Sequence, residues 1–297
     1  MNHQLRVFIA VVENRNFSRA AEKLHMTQPA VSQTVRSLEE SLGVPLLERT
    51  SKYVRLNRAG EIVYHHAKEM ETLDTRMRHL LDDLLNKAKG PLKIGASYTF
   101  GEYILPRAIA KMKERFPDIL PTVKIGNTSE IARLVDTLQF DIGIVEGHFK
   151  EDRLLHVEPL AEDSMVVVAS SKHPISRINH PTKHELEKQT WIVREKGSGT
   201  REASESFFKT IGISPASVME FGSTQSIKQA IEAGLGLSLL STWTVQKEIK
   251  NQELTVIESM GAPFKREFTM VFPSPPFRTK AMDLFIDLLR EEFNRQL

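Results

Sequence analysis

The chain has 297 residues, 40% hydrophobic and 26% charged, which is the balance of about two folded domains and not of a disordered chain. No run approaches the roughly 18 apolar residues of a membrane span. The N-terminus lacks a basic segment with a small-residue cleavage site. With no cysteine there are no disulfides, thiolate metal sites or thiol redox chemistry, so a cytoplasmic protein is expected. The net charge of +2 is unevenly spread: residues 1–58 carry nine Lys/Arg against five acids, whereas residues 91–297 carry 26 against 27. A basic head on a neutral body points toward nucleic acid at the N-terminus.

Three helices are predicted in the first 43 residues. Leu5, Phe8, Ile9 and Val12 recur at helical spacing. Ser18 is a candidate N-cap for the second helix, and Thr27 for the third, with Pro29 in its first turn and Gly43 as a left-handed stop. Only His25 and Met26 separate Leu24 from Thr27, and so tight a joint predicts a helix-turn-helix. On the third helix Val31, Val35, Leu38 and Leu42 share an inward stripe. Pro29, Ser32, Gln33 and Arg36 face outward, with side chains suited to base edges and phosphates. An ordinary solvated face is the plain alternative. Residues 44–49 and 53–56 then read as a hairpin, with Arg49, Lys52 and Arg55 on or beside it as phosphate contacts.

From Phe8 to Arg49 the order Phe8, Val11-Val12-Glu13, Asn16-Phe17-Ser18, Ala20-Ala21, Leu24, Met26-Thr27-Gln28-Pro29-Ala30-Val31-Ser32, Leu38-Glu39, Leu42-Gly43 and Arg49 closely resembles the LysR-type transcriptional regulators. Leu47 stands where many members carry Phe, a packing position. The resemblance implies an α/β chain made of a winged helix-turn-helix, a long linker helix and a two-lobed effector domain like the periplasmic binding proteins. It also implies DNA contact by Thr27, Gln28, Pro29, Ser32, Gln33 and Arg36, and wing contact by Arg49 and Lys52. The expected domains are 1–58 (DNA binding), 59–89 (linker) and 91–297 (effector). Lobe I of the effector domain spans 91–163 and 268–297, and lobe II spans 164–267.

A linker helix is predicted from Arg58, behind an Asn57 cap, to about Ala88, roughly 45 Å long. Val63, His66, Met70, Leu73, Met77, Leu80 and Leu84 alternate by three and four, a heptad seam that predicts a homodimer. Packing of the seam on its own chain is the alternative. The family implies pairing of such dimers into a homotetramer. His65 and His66 diverge by about 100° on a helix, which argues against a metal site.

After Gly90-Pro91, strands and helices alternate, which predicts parallel sheets with crossover helices. In such folds ligands bind beyond strand ends, near helix N-termini. The strand ends offer Ser97 and Thr99, then Thr128 and Ser129, then Glu146, and in the second lobe Ser198, Gly199, Thr200, Arg201 and Thr224. Gly197-Ser198-Gly199-Thr200-Arg201 reads as an anion loop, with a plain N-cap and a structural Arg201 ion pair as the alternative.

Enzyme motifs fail. Gly234-Leu235-Gly236 lacks the third glycine of a dinucleotide loop and lies between a helix and a strand. Ser198 is not in a nucleophile elbow, and no P-loop occurs. The expected function is a DNA-binding regulator whose promoter occupancy responds to a small anionic metabolite held between the lobes. Its partners are promoter DNA and that effector, with RNA polymerase as a further candidate and no cofactor or metal. The alternatives are a solute-binding protein and a regulator that needs no effector.

Overall fold

The computed structural model describes residues 2–49, 54–83, 89–147, 155–274 and 278–294. It divides into two units, Met1–Asp82 and Asp83–Leu297. The expected wing residue Lys52, the side chain of Arg49 and linker residues 84–88 lie outside the description.

In the first unit α1 (His3–Asn14), α2 (Phe17–Leu24) and α3 (Gln28–Leu42) surround a core of Val7, Phe8, Val11, Ala20, Val31, Val35, Leu38 and Leu46. Helix α2 begins earlier than its sequence suggests. Its cap is Asn16, whose side chain accepts from the Arg19 amide at 3.0 Å, and Ser18 lies inside the first turn. Thr27 caps α3 through the Ala30 amide, and Gly43 closes it at φ 70°. Leu42, expected on the inward stripe, is 47% exposed, because as the last residue of α3 it lies beyond the core around Leu38 and Leu46.

Strands β1 (Leu47–Arg49) and β2 (Val54–Leu56) pair antiparallel, with Glu48 opposite Arg55. The Glu39 carboxylate fixes the entry to β1 by accepting from the amides of Leu46 and Leu47. Helix α4 (Arg58–Asp83) starts as expected behind Asn57, whose side chain accepts from Gly60 N at 2.8 Å. Its first turns pack on the helix-turn-helix core through Ala59, Val63 and Tyr64, and Lys68 reaches Glu13 of α1 at 3.1 Å. Ile62, Met70, Leu73, Met77 and Leu81 remain about half exposed. Both His65 and His66 face Glu69.

The second unit opens with β3 (Gly90–Ser97), α5 (Tyr98–Tyr103), α6 (Leu105–Arg115), β4 (Ile119–Gly126), α7 (Thr128–Asp136) and β5 (Ile142–Glu146). A 16-residue strand, β6 (Leu155–Ser170), follows. After a short 3-10 turn come α8 (Lys183–Glu187), β7 (Thr190–Arg194), α9 (Gly199–Ile211), β8 (Ser217–Phe221), α10 (Thr224–Glu232), β9 (Ser238–Ser241), α11 (Thr242–Lys250) and β10 (Leu254–Val256). The chain returns through β11 (Phe264–Pro273) and α12 (Lys280–Asn294).

The expected parallel pairing holds for β3 with β4 and β5, and for β7 with β8. The remaining pairs are antiparallel, because β6 and β11 are longer than the alternation suggests and run together from one lobe into the other. Strand β11 pairs with β5 on one side and β6 on the other. Strand β6 continues onward to pair with β9 and β10. Lobe I packs Leu92, Ile94, Phe100, Phe268, Met270, Phe285 and Leu289. Lobe II has one cluster around Trp191, Phe207 and Leu239 and another around Ile192, Ile227 and Leu254.

Candidate functional sites: a helix face and an interlobe cleft

On α3 the buried Val31, Val35 and Leu38 turn the opposite face to solvent. Thr27, Gln28, Pro29, Gln33 and Arg36 are exposed there, and Ser32 is half-buried. Arg36 Nε lies 3.1 Å from Glu40, but both side chains are largely exposed, so the pair holds the guanidinium only weakly. Arg55 is exposed on β2. Amide-bearing and cationic groups on an exposed helix face are suited to both the base-edge and the phosphate contacts a major groove accepts.

In the second unit the strand-end residues gather where the lobes meet. Glu146, at the end of β5, accepts from the Thr99 amide at 3.1 Å. Thr128 donates to the Glu146 carbonyl and accepts from Gly199 N, both at 3.2 Å. The Ser129 amide donates to the Gly197 carbonyl at 3.0 Å. The glycine loop is thus a joint between lobes, with its backbone groups spent on lobe I. A Cβ on Gly199 would lie 2.2 Å from the Glu146 carbonyl oxygen, so the lobes approach this closely only over a glycine. Ser198 caps α9 by accepting from the Thr200 amide.

Arg201 does not join this group. Its guanidinium contacts Glu205 at 2.6 Å, Glu220 at 3.1 Å and the Arg194 carbonyl. Two other arginines do join it. Arg194, on β7, lies 4.4 Å above the Tyr98 ring, reaches Thr224 at 3.4 Å and grips Glu195 with two nitrogens. Burial pushes the Glu195 carboxyl up, but Arg194 and Asn127 outweigh it and hold the group below its usual range. Arg266, on β11, sits opposite Asp163 on β6 and donates to it at 2.7 Å. Its terminal nitrogens reach Thr200 at 3.0 Å and Thr99 at 3.1 Å, one hydroxyl on each lobe. Burial raises the Asp163 pKa, with Arg266 and Ser241 opposing. Ser97 Oγ is buried without a hydrogen-bond partner among the described residues.

Sequence reasoning missed Arg266 and Asp163; Tyr98 and Arg194 stand in the strand-end runs it reads, without an assigned ligand role. A signal for the first pair was present. Arg266 shares a strand face with Phe264 and Phe268, and Asp163 shares one with Met165 and Val167, so each is a charge on an apolar face. Buried charges of opposite sign require each other.

Residues 2–61 match the family model for the bacterial regulatory helix-turn-helix protein, lysR family, and residues 86–294 match the LysR substrate binding domain. The HTH-type transcriptional regulator CysL of Bacillus subtilis is 36% identical over 293 residues, 99% of this chain and 98% of that one. A RuBisCO operon transcriptional regulator of Allochromatium vinosum is 32% identical over 91% of this chain and 88% of its own. The regulatory domain of Synechocystis CcmR, solved in complex with 2-PG, is 29% identical with a TM-score of 0.61, covering 69% of this chain and 98% of that one. Full-length CbnR complexed with its target DNA shares the fold at 19% identity and a TM-score of 0.70, over 98% of this chain and 99% of that one. The chain belongs to the LysR family of DNA-binding transcription regulators, with a helix-turn-helix domain and an effector-binding domain.

Proposed function

We propose that this regulator occupies a dyad-symmetric promoter site as a dimer and changes that occupancy when a small anion binds between its lobes. On this reading residues 1–58 bind DNA, 59–89 dimerise and 91–297 sense the effector. Thr27, Gln28, Pro29, Ser32, Gln33 and Arg36 meet the major groove, with Arg49, Lys52 and Arg55 on the flanking backbone. The exposed apolar side chains of α4 pair with a second copy, and dimers assemble into a tetramer. The protein works in the cytoplasm, beside DNA and RNA polymerase. The two glycines, Thr128 and Ser129 form the lobe joint, while Ser97, Thr99, Ser198, Thr200 and Thr224 present hydroxyls to the ligand.

The observation that carries the effector reading is Ser97. A buried hydroxyl with no partner is costly unless a bound acceptor satisfies it. It lies two residues from Thr99, on the same strand end. A CcmR regulatory domain solved in complex with 2-PG supports a small metabolite as the effector. The test is titration of full-length protein with 2-PG, sulfate and phosphate, followed by thermal melting, together with footprinting on the promoter upstream of its own gene. Ser97→Ala weakens the response while leaving DNA affinity in place. An effector response unchanged in Ser97→Ala refutes the assignment.

A further inference from the structure

We infer that Glu39 is a positioning residue for DNA binding: with Asn57 it clamps residues 45–47 between α3 and α4, and so presents α3 and the β1–β2 wing to DNA at one preset spacing. The inference rests on the reading above that the wing meets the DNA backbone.

The wing does not set its own place. Its two strands hold three residues each and share three register pairs, Leu47 with Leu56, Glu48 with Arg55 and Arg49 with Val54. A hairpin so short is marginal by itself. Only residues 43–46 lie between α3 and β1. Pro45 has no amide to give. The next two amides converge on one carboxylate oxygen of α3: Leu46 N lies 2.8 Å and Leu47 N 3.3 Å from Glu39 Oε1. Both leucines are buried, and backbone donors there need an acceptor. An ionised oxygen is the stronger choice.

Asn57 holds the same segment from the other side. Its Nδ2 donates to the Pro45 carbonyl at 2.8 Å, its backbone amide donates to the Leu46 carbonyl at 3.1 Å, and its Oδ1 accepts from Gly60 N at 2.8 Å. One side chain thus caps α4 and grips the segment. The first turn of α4 presses close, since a Cβ on Gly60 would lie 2.0 Å from the Leu46 carbonyl oxygen. The Leu46 residue is held at its amide by α3 and at its carbonyl by the residue that starts α4.

Glu39 shares α3 with Gln33 and Arg36, and β1 begins at the clamped Leu47. The clamp therefore converts the orientation of α3 into that of Arg55, one strand away. When two surfaces of one body meet DNA, the second contact is an intramolecular step, and its gain depends on a fixed geometry. Without the clamp α3 still reads its bases, but the wing cations no longer arrive at the phosphates in register with it.

The test uses full-length protein and quantitative footprinting on the DNA upstream of its own gene across a salt series. Glu39→Ala and Glu39→Gln are each made alone and together with a neutral wing, in which Arg49, Lys52 and Arg55 are all replaced by Ala. In Glu39→Ala the affinity is expected to fall about tenfold or more, and the salt slope to drop toward that of the neutral-wing protein. Discrimination at the bases under Gln33 and Arg36 stays at the wild-type level. Neutralising the wing then costs little further. Glu39→Gln keeps an acceptor oxygen without the charge, so it recovers most of the affinity and most of the cost of neutralising the wing. A head that merely unfolds behaves differently: binding falls with the folded fraction read by thermal melting, and the slope does not change. A neutral wing that costs as much in both Glu39 variants as in wild type, or a Glu39→Ala protein with wild-type affinity and slope, overturns the role of Glu39 and leaves the wing reading standing. A neutral-wing protein that binds DNA as wild type does overturns both.

Discussion

The amide of Gly199 donates across the cleft to Thr128 Oγ1 at 3.2 Å, and the same hydroxyl donates onward to the Glu146 carbonyl. This three-residue relay pins the start of α9 to the end of β5. Its geometry leaves no room for a side chain at residue 199. Gly199→Ala is expected to destabilise the effector domain by about 1–3 kcal/mol, as overpacking against backbone does, with Tm falling by about 2–4 °C per kcal/mol. A melting curve unchanged in this variant means that the lobes separate freely here.

Arg201 offers the contrasting case. Its nitrogens are committed to Glu205, Glu220 and a carbonyl, away from Thr99 and Thr200. Arg201→Ala is expected to lower Tm modestly and leave sulfate affinity within about twofold, because exposed ion pairs contribute about 0–1 kcal/mol each. Thr200→Val, in the same loop, is expected to lose most sulfate binding. If calorimetry finds the reverse order, the loop cation is the ligand group after all.

The sequence pattern of the helix-turn-helix was dense enough to place nearly every element, because caps and apolar periodicity act locally. Thr27 and Gly43 bound α3 as their chemistry dictates; of the two local misses, Leu42 lies past the core at the end of α3, and Ser18 for Asn16 arose because two good cap residues lie two positions apart. In the effector domain the parallel strands and the longer helices were legible for the same reason, whereas the short α5, α8 and α11 were not. The lengths of β6 and β11 were not, since their pairing across both lobes depends on residues about a hundred positions apart, such as Asp163 and Arg266. The candidate site followed suit. Hydroxyls at strand ends were visible from position alone, but the cation between them stands in mid-strand and shows itself only when the partner strand is in place.

A second long-range cluster makes a pH prediction. Glu158 on β6 meets His156, Arg278 and Arg290, the last from α12. Burial pushes its carboxyl up, and the histidine and Arg278 overcome this to hold it below its usual 4.5. The group ionises more easily folded than unfolded. Its stabilisation is therefore complete above 4.5 and is lost as pH falls through the lowered folded value. Glu158→Gln is expected to cost about 1–3 kcal/mol at pH 7, with the gap to wild type closing below that value. Denaturant melts at several pH values check it; a gap that widens in acid contradicts the assignment.

Helix α4 makes a prediction about assembly. Leu73 and Met77 are 49% and 50% exposed, one turn apart in a helix whose other apolar residues repeat at three and four. Leu73→Asp places a charge in each half of a symmetric seam. The dimer dissociation constant is expected to rise about a hundredfold or more, read by sedimentation, with the helix-turn-helix domain still folded. Unchanged assembly would mean that copies meet through another surface.

The recognition face can be separated into reading and charge. Gln33 and Arg36 lie three residues apart on the exposed side of α3, within reach of neighbouring base pairs. Each Ala replacement is expected to cost about 1–3 kcal/mol of specific binding and to relax discrimination at its own position. Arg55 lies on the wing, where contact with phosphate carries no sequence information, so Arg55→Ala should weaken all DNA alike and reduce the salt slope by about one. The Arg36 pair with Glu40 adds a control. Glu40→Ala removes a competitor for the guanidinium and a negative charge facing DNA, so affinity should rise slightly with discrimination unchanged. Quantitative footprinting across a salt series distinguishes these outcomes. If Arg36→Ala lowers affinity equally for every sequence, Arg36 is a phosphate contact and Gln33 alone reads bases on this face.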